Sequence, residues 1–130
     1  MNAAYDLSGK VAIVTGSSKG IGESIARGLA ESGAAVVISS RNQEAVDKVA
    51  EAYRTDGLTA TGIACHVGDA EQRKALLERT LSEYGRIDIL VNNAGVSYQA
   101  DPITSSLDEW DKAIRIMLYG TVHCCRAFVP

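Results

Sequence analysis

The sequence predicts an α/β fold built on a doubly wound parallel sheet, and three observations support that class. Short apolar runs alternate with longer amphipathic segments along the 130 residues. The runs are apolar on both faces, as is typical of strands that are covered by helices on both sides. Each run is followed by a helix-like segment, which is the repeat of a β-α-β crossover. The length suits one domain, residues 1–130.

Each element has a local justification in the sequence. The first strand, residues 11–14, leads through a glycine-bearing stretch into a helix that Gly33 stops after Glu31. The later elements are predicted in chain order as strand Ala35–Ser39, helix 43–53 with Gly57 as a break, strand 60–65, helix 70–83 between an Asp69 N-cap and Gly85, strand 87–91, and helix 107–128 with Ser105 or Ser106 as its N-cap.

Right-handed crossovers between these elements give the strand order 3-2-1-4, with helices on both faces. This is a Rossmann-type arrangement of four strands. The alternation predicts a fifth strand directly after Pro130, so we expect the sheet to be incomplete.

Composition excludes several classes of function. Thirteen Lys and Arg against sixteen Asp and Glu give a net charge of −3, which predicts no binding of nucleic acid or an anionic membrane. No apolar run reaches membrane-spanning length, and the first residues lack the pattern of a signal peptide. Cys65, Cys124 and Cys125 fit neither a disulfide framework nor a metal site, and the last two are expected to be buried on a helix. We therefore expect a cytoplasmic, metal-free protein.

The glycine-rich stretch at residues 15–22 lies directly between the first strand and the first helix. Gly16 would allow the tight turn, Gly20 the approach of a pyrophosphate to the backbone, and Gly22 close packing of the helix. The phosphates of a dinucleotide would then rest on the N–H groups at the positive end of the helix. The alternative is a glycine-rich turn without a ligand.

The end of the second strand predicts which dinucleotide is bound. An acid at this place would contact the ribose hydroxyl of NAD, but the sequence has Ser40 and Arg41 instead. Arg41 can bind the 2′-phosphate of NADP with two hydrogen bonds, Ser40 can donate to it, and Lys19 can reach it from the glycine loop. The prediction is NADP, with NAD the less favoured cofactor. The alternative is that Arg41 and Lys19 are solvated surface charges.

A second motif, Asn92-Asn93-Ala94-Gly95, follows the fourth predicted strand. Together with the glycine loop it resembles the short-chain dehydrogenase/reductase family, whose motifs are TGxxxGxG and NNAG. The resemblance covers the whole chain but only the N-terminal, cofactor-binding portion of a family domain. The family's catalytic Ser and Tyr-x-x-x-Lys would lie beyond Pro130, so the resemblance implies a domain truncated before its catalytic half.

The resemblance implies that the loop lines the pyrophosphate and ribose, that Val67 lies beside the adenine, and that Asn93 to Gly95 lie under the nicotinamide-side ribose. Asn92 either joins them or ties neighbouring strands together. The predicted cofactor-binding residues are Gly16, Ser18, Lys19, Gly20, Ile21, Gly22, Ser40, Arg41, His66, Val67, Asn93, Ala94 and Gly95.

Two further departures from the family pattern affect the site. His66 stands where the family often has an Asp facing the adenine amino group, and a neutral imidazole can still make one hydrogen bond there. Met117 aligns with the helix asparagine that supports a proton relay, and a thioether cannot hold the relay water in the same way. The catalytic residues are therefore unknown. Tyr119 and His123, four residues apart, are either a replacement acid or a packing pair.

Two functions from different classes remain open. One is an NADP(H)-dependent oxidoreductase that transfers hydride between a carbonyl and an alcohol of a small molecule. The alternative is a non-catalytic dinucleotide-binding or oligomeric module that lacks the catalytic half. The substrate is not specified by the sequence, since the loop at 96–103 alone does not define a pocket. The apolar last helix and the open edge of the fourth strand predict a homo-oligomer.

Overall fold

A computed structural model describes residues 5–95 and 105–128 of the chain. Four parallel strands form one sheet in the order β3-β2-β1-β4, which confirms the predicted order. The strands are β1 (Val11–Thr15), β2 (Ala35–Ser39), β3 (Ala60–Gly62) and β4 (Ile89–Val91). The helices are α1 (Gly20–Glu31), α2 (Gln43–Thr55), α3 (Ala70–Tyr84), α4 (Leu107–Ala113) and α5 (Gly120–Phe128), with a π-helical turn at Ile114–Tyr119 joining the last two.

The strands pack between two apolar layers, as a doubly wound sheet requires. Successive side chains of a strand point to opposite faces, so Val14 and Ile38 pack with α1 and α2 while Ile13 and Val37 pack on the other face. Leu76 of α3, together with the π turn and α5, covers that second face. All residues of β1 are buried. The predicted helices on both faces are confirmed.

Several predicted boundaries differ from the structure, and β1, α2 and α3 each end one or two residues later than predicted. β3 ends at Gly62 rather than at residue 65. Beyond that end, Ile63 N–H still donates to the carbonyl of Ile38, and Cys65 N–H donates to the carbonyl of Ser40. The chain is bonded on this side only, because β3 is the outer strand of the sheet. β4 begins at Ile89 rather than at residue 87. The predicted single last helix contains the π turn, which lies where Gly120 packs against Val67.

The two outer strands differ in how their free edges are covered. At β3, the side chain of Gln43 donates to the carbonyl of Gly62, and Arg54 donates to the carbonyl of Ala60 at 2.9 Å. No helix side chain in the described ranges makes a hydrogen bond of this kind to β4. The residues of β4 are only half-buried.

The surface formed by Trp110, Ile114, Met117, Leu118, Tyr119 and Val122 is called the apolar helix face below. Each of these side chains is at least 40% exposed. Cys124 and Phe128 pack inward, as predicted, whereas Cys125 is only partly buried because it lies to the side of that buried stripe. No helix in the described part of the chain is both long enough and apolar enough to cross a bilayer.

Candidate cofactor-binding site

A cleft of about 610 Å³ opens at the carboxyl ends of the strands, the usual ligand position in an open α/β sheet. The first βα turn forms its centre, the segments after β2 and β3 form one end, and the segment after β4 forms the other. The described residues that line it are Gly16, Ser18, Lys19, Gly20, Ser40, Arg41, Asn42, Cys65, His66, Val67, Asn93, Ala94, Gly95 and Ile116.

Glycine is required at specific points of the first turn. Gly16 has a φ of 66°, and a Cβ there would lie 2.9 Å from the Cα of Ala94. A Cβ on Gly22 would collide with the Asn93 amide and with the carbonyl of Gly16. Gly20 also has a positive φ, but its missing Cβ leaves open space. The turn therefore packs tightly against the segment after β4 and leaves room on its cleft side.

Thr15 joins the glycine turn to the segment after β4. Its hydroxyl accepts hydrogen bonds from the N–H groups of Asn93 and Ala94, both at 3.0 Å, and donates to the carbonyl of Val91. The Asn93 amide donates to the carbonyl of Gly16 at 3.1 Å. The side-chain amide that ties neighbouring segments together is thus that of Asn93, which joins the segment after β4 to the glycine turn. The amide of Asn92 donates instead to the sulfur of Cys125 on α5. These bonds fix the two halves of the cleft relative to each other.

Ser17 fixes the turn to the second strand. Its hydroxyl donates to the carbonyl of Val14 at 2.6 Å and accepts from the N–H of Ser39 at 2.9 Å. The N–H of Ser17 donates to the carbonyl of Ser39. Because Ser17 is fully buried, it has a positioning role and does not face the cleft.

The N-terminus of α1 differs from those of the neighbouring helices. The side chains of Asn42, Asp69 and Ser106 cap α2, α3 and α4 by accepting backbone N–H groups. At α1 the N-cap is Lys19, and no side chain of the described residues accepts from this end. Its N–H groups and the positive end of the helix dipole therefore remain available to an anion in the cleft.

The end of the cleft beside β2 is positively charged. Arg41 lines this end and Lys19 lines the first βα turn at the centre of the cleft; both are exposed, and neither forms an ion pair within the described residues. Ser40 and Asn42 add polar groups, and no described lining residue is a carboxylate. Such a surface favours a phosphate over the neutral hydroxyls of a ribose.

Most of the predicted cofactor-binding residues come together on this cleft. Ile21 and Gly22 do not line it: Ile21 is 75% exposed, and Gly22 is buried against Asn93. Asn42, Cys65 and Ile116 also line the cleft but were not predicted from the sequence. The roles of Thr15 and Ser17 were not predicted either; the signal for them in the sequence is that a polar residue stands on each side of Gly16.

Burial determines the protonation state of Cys65, the cysteine that lines the cleft. Cys65 is 2% exposed, and this burial raises the pKa of its thiol to about 12. The thiol is therefore protonated at neutral pH and behaves as an apolar part of the wall. The described residues hold no group of His, Cys, Asp and Glu side chains that could bind a metal ion.

The side chains considered for acid catalysis lie away from this cleft. The rings of Tyr119 and His123 are 6.4 Å apart and tilted, but both side chains are exposed and neither lines the cleft. Met117 packs on the outer wall, with its Cγ and Cε 3.9 Å from the Cβ position of Gly95. The loop at 96–103 lies outside the described residues.

The strand order, the glycine turn and the cleft at the switch point define a Rossmann-type α/β fold. The sequence profile of the family described as short chain dehydrogenase matches residues 10–130, so the chain belongs to that family. Members of the family are oxidoreductases that bind nicotinamide cofactors and act on small molecules.

Known proteins of this family are similar in sequence and in structure. "Dehydrogenase/reductase SDR family member 4" from Sus scrofa is 44% identical over 125 residues, which are 95% of this chain and 45% of that protein. A hydroxysteroid dehydrogenase from Escherichia coli is 32% identical with a TM-score of 0.92, covering 97% of this chain and 53% of the other. A metagenomic short-chain oxidoreductase solved in complex with NADP is 39% identical with a TM-score of 0.89, covering 96% and 57%. The chain spans about half the length of these relatives.

Proposed function

We propose that the cleft binds NADP(H) and that the chain is the cofactor-binding part of an oxidoreductase acting on a carbonyl/alcohol pair. One observation carries the proposal. Arg41, Lys19 and the uncapped N-terminus of α1 together form an anion-binding surface with no carboxylate among the lining residues described. The NADP complex of a 39% identical relative supports the same cofactor.

The residues present fit the dinucleotide. The open space at Gly20 and the free N–H groups of α1 suit the pyrophosphate. Arg41 and Ser40, which line the end of the cleft after β2, would bind the 2′-phosphate, and Lys19 would add positive charge from the glycine turn. The segment from Asn93 to Gly95, fixed by Thr15, would carry the nicotinamide-side ribose.

When bound, the reduced cofactor supplies a hydride to the carbonyl carbon. The described residues would orient it, because the Asn93 amide and the Thr15 hydroxyl hold the wall of the cleft in place. Protonation of the developing alkoxide needs a positioned acid. Tyr119 and His123 are outside the cleft, so we propose that this acid comes from outside the described residues.

A non-catalytic dinucleotide-binding module is the second candidate, and it is favoured by Met117 in place of a polar relay residue. The two candidates are separated by a pair of measurements. NADPH fluorescence should change on titration with the chain under both, whereas NADPH consumption with a panel of ketones and aldehydes occurs only under the first. Absence of NADPH binding would contradict both.

We propose that the chain forms a homo-oligomer through the apolar helix face or the outer side of β4. The exposed side chains of Met117 and Leu118 and the half-buried strand support this. Sedimentation at micromolar concentration should show a species larger than a monomer, and Leu118→Ser should weaken it. A monomer at that concentration would contradict the proposal.

We also propose a cytoplasmic location. The three cysteines are free thiols in the structure, which suits a reducing compartment. Labelling with a thiol reagent in cell extracts prepared under acid quench would show them reduced, and a disulfide-linked form would contradict the location.

A further inference from the structure

The inference concerns the base-binding end of the cleft and rests on the proposed function. In an NADP site the 2′-phosphate belongs to the adenosine half, so the purine lies at the end marked by Ser40 and Arg41. Cys65 N–H donates to the carbonyl of Ser40 at 2.8 Å and thereby sets the next residue, His66, beside that end. His66 and Val67 both line the cleft there.

The imidazole of His66 is held in one orientation. The N–H of Gly68 donates to His66 Nδ1 at 3.0 Å. The ring packs directly on Gly68, where a Cβ would lie 2.8 Å from His66 Cε1. The backbone N–H of His66 donates to Gln72 Oε1 at 2.8 Å and fixes the main chain. The side chain is only half-buried, so the ring is positioned and still accessible from the cleft.

The hydrogen bond from Gly68 also determines where the proton of the ring lies. A nitrogen that accepts a hydrogen bond carries no hydrogen, so the neutral ring carries its hydrogen on Nε2. Nε2 is therefore a hydrogen-bond donor, and no described residue accepts from it.

We propose that His66 is a specificity-determining residue that presents Nε2–H to the purine and admits 6-oxopurine dinucleotides to the site. Nε2–H can donate to a ring nitrogen of adenine or to the 6-oxo group of hypoxanthine, so it excludes neither base. A carboxylate at this position would instead favour adenine, because it only accepts hydrogen bonds and would face the 6-oxo acceptor of hypoxanthine. The ligand class is thus a nicotinamide dinucleotide phosphate with either a 6-amino or a 6-oxopurine base.

Two substitutions of equal size test the direction of this hydrogen bond. In His66→Asp and His66→Asn, one side-chain oxygen can accept from the N–H of Gly68, since Asp and Asn commonly bond to the backbone two residues on. The second atom facing the base is then an acceptor in the Asp variant and a donor in the Asn variant. His123→Asp places the same new charge on an exposed helix position outside the cleft and is the control.

The measurement is the ratio of the dissociation constants of the hypoxanthine analogue of NADPH and of NADPH itself, by fluorescence titration. We expect a ratio within about threefold of one for the unsubstituted chain, for His66→Asn and for His123→Asp. In His66→Asp this ratio should rise by at least about tenfold relative to the unsubstituted chain, which is the change in affinity expected from one hydrogen bond.

The possible results distinguish a failure of the role proposed for His66 from a failure of the proposed function. An unsubstituted chain that prefers NADPH by more than about tenfold, or equal ratios in the Asp and Asn variants, would overturn the role of His66 and leave the proposed function standing. Failure of the unsubstituted chain to bind either dinucleotide would overturn the proposed function and this inference with it.

Discussion

β3 and β4 are the two edge strands of the sheet, and they differ in how their free edges are covered. β3 is buried along its length, and side chains of α2, Gln43 and Arg54, occupy the carbonyls of its free edge. β4 is half-buried, and the helices among the described residues provide no such cover. The difference shows that β3 is built as a sheet edge, since natural edges are protected against further pairing.

β4 is instead half-buried, and the side chains of the apolar helix face are exposed, as is typical of surfaces that bind another protein. The cofactor cleft extends across both sides, because the glycine turn after β1 is bonded to the segment after β4. The buried β3 side and the half-buried β4 side should therefore respond differently to substitution.

The largest effect is expected from truncating matched isoleucines on the two sides. Ile38 of β2 is fully buried, so Ile38→Ala should lower the free energy of unfolding by about 3 kcal/mol. Ile89 of β4 is half-buried, and Ile89→Ala should cost about 1 kcal/mol. Urea unfolding of both variants measures the gap. Equal losses would contradict the distinction between the buried and the half-buried side.

The joint between the two sides can be tested with two glycines of α1. A Cβ on Gly22 would collide with the Asn93 amide and the Gly16 carbonyl. Gly22→Ala should therefore lower the free energy of unfolding by about 2 kcal/mol and abolish NADPH binding. A Cβ on Gly28 meets no atom within 4 Å, so Gly28→Ala should raise the free energy of unfolding by about 0.5–1 kcal/mol, because alanine has the higher helix propensity. Thermal unfolding would reveal opposite signs. A harmless Gly22→Ala would show that the joint is loose.

The protected edge offers a smaller effect. Arg54→Ala removes the donor to the carbonyl of Ala60 and should cost about 1 kcal/mol. Lys48→Ala, at an exposed position of the same helix, is the control and should change stability little. Urea unfolding together with light scattering would show whether the uncovered edge also promotes association. If the two variants behave alike, the side chain of Arg54 does not protect β3.

The smallest effect concerns pH. The hydrogen bond from Arg86, with that from the N–H of Val11, holds the pKa of Asp88 below its ordinary value of 3.8. The ionised carboxylate therefore stabilises the folded chain above that value, and the contribution disappears as the pH falls through the lowered pKa. Asp88→Asn should be destabilised most near neutral pH, and the difference should shrink in acid. A difference that grows on acidification would contradict this sign.

The strands and their order could be predicted because apolar runs between glycine breaks specify a parallel sheet, and crossover handedness leaves few arrangements. The ends of β3 and β4 could not, because a strand end depends on neighbours that the local sequence does not show. The π turn at Ile114–Tyr119 could not be predicted either, because its residues form an ordinary helical pattern; Gly120, which follows it, packs on Val67.

Motifs that act through the backbone were visible in the sequence, as at Gly16 and Gly22. Residues that line the cleft through tertiary packing were not: Ile116 comes from the π turn, far along the chain, and Cys65 resembles an ordinary core residue. The orientation of His66 depends on one hydrogen bond from Gly68, which no spacing rule predicts.

The most direct test of the account is a parallel titration with NADPH and NADH, following nucleotide fluorescence. We predict clearly tighter binding of NADPH, with Arg41→Ala weakening NADPH by about ten- to hundredfold and leaving NADH nearly unchanged, since one charged phosphate contact is removed. Arg54→Ala, outside the cleft, should leave both constants unchanged. Equal affinity for the two dinucleotides, or no effect of Arg41→Ala, would contradict an NADP(H) site at this cleft.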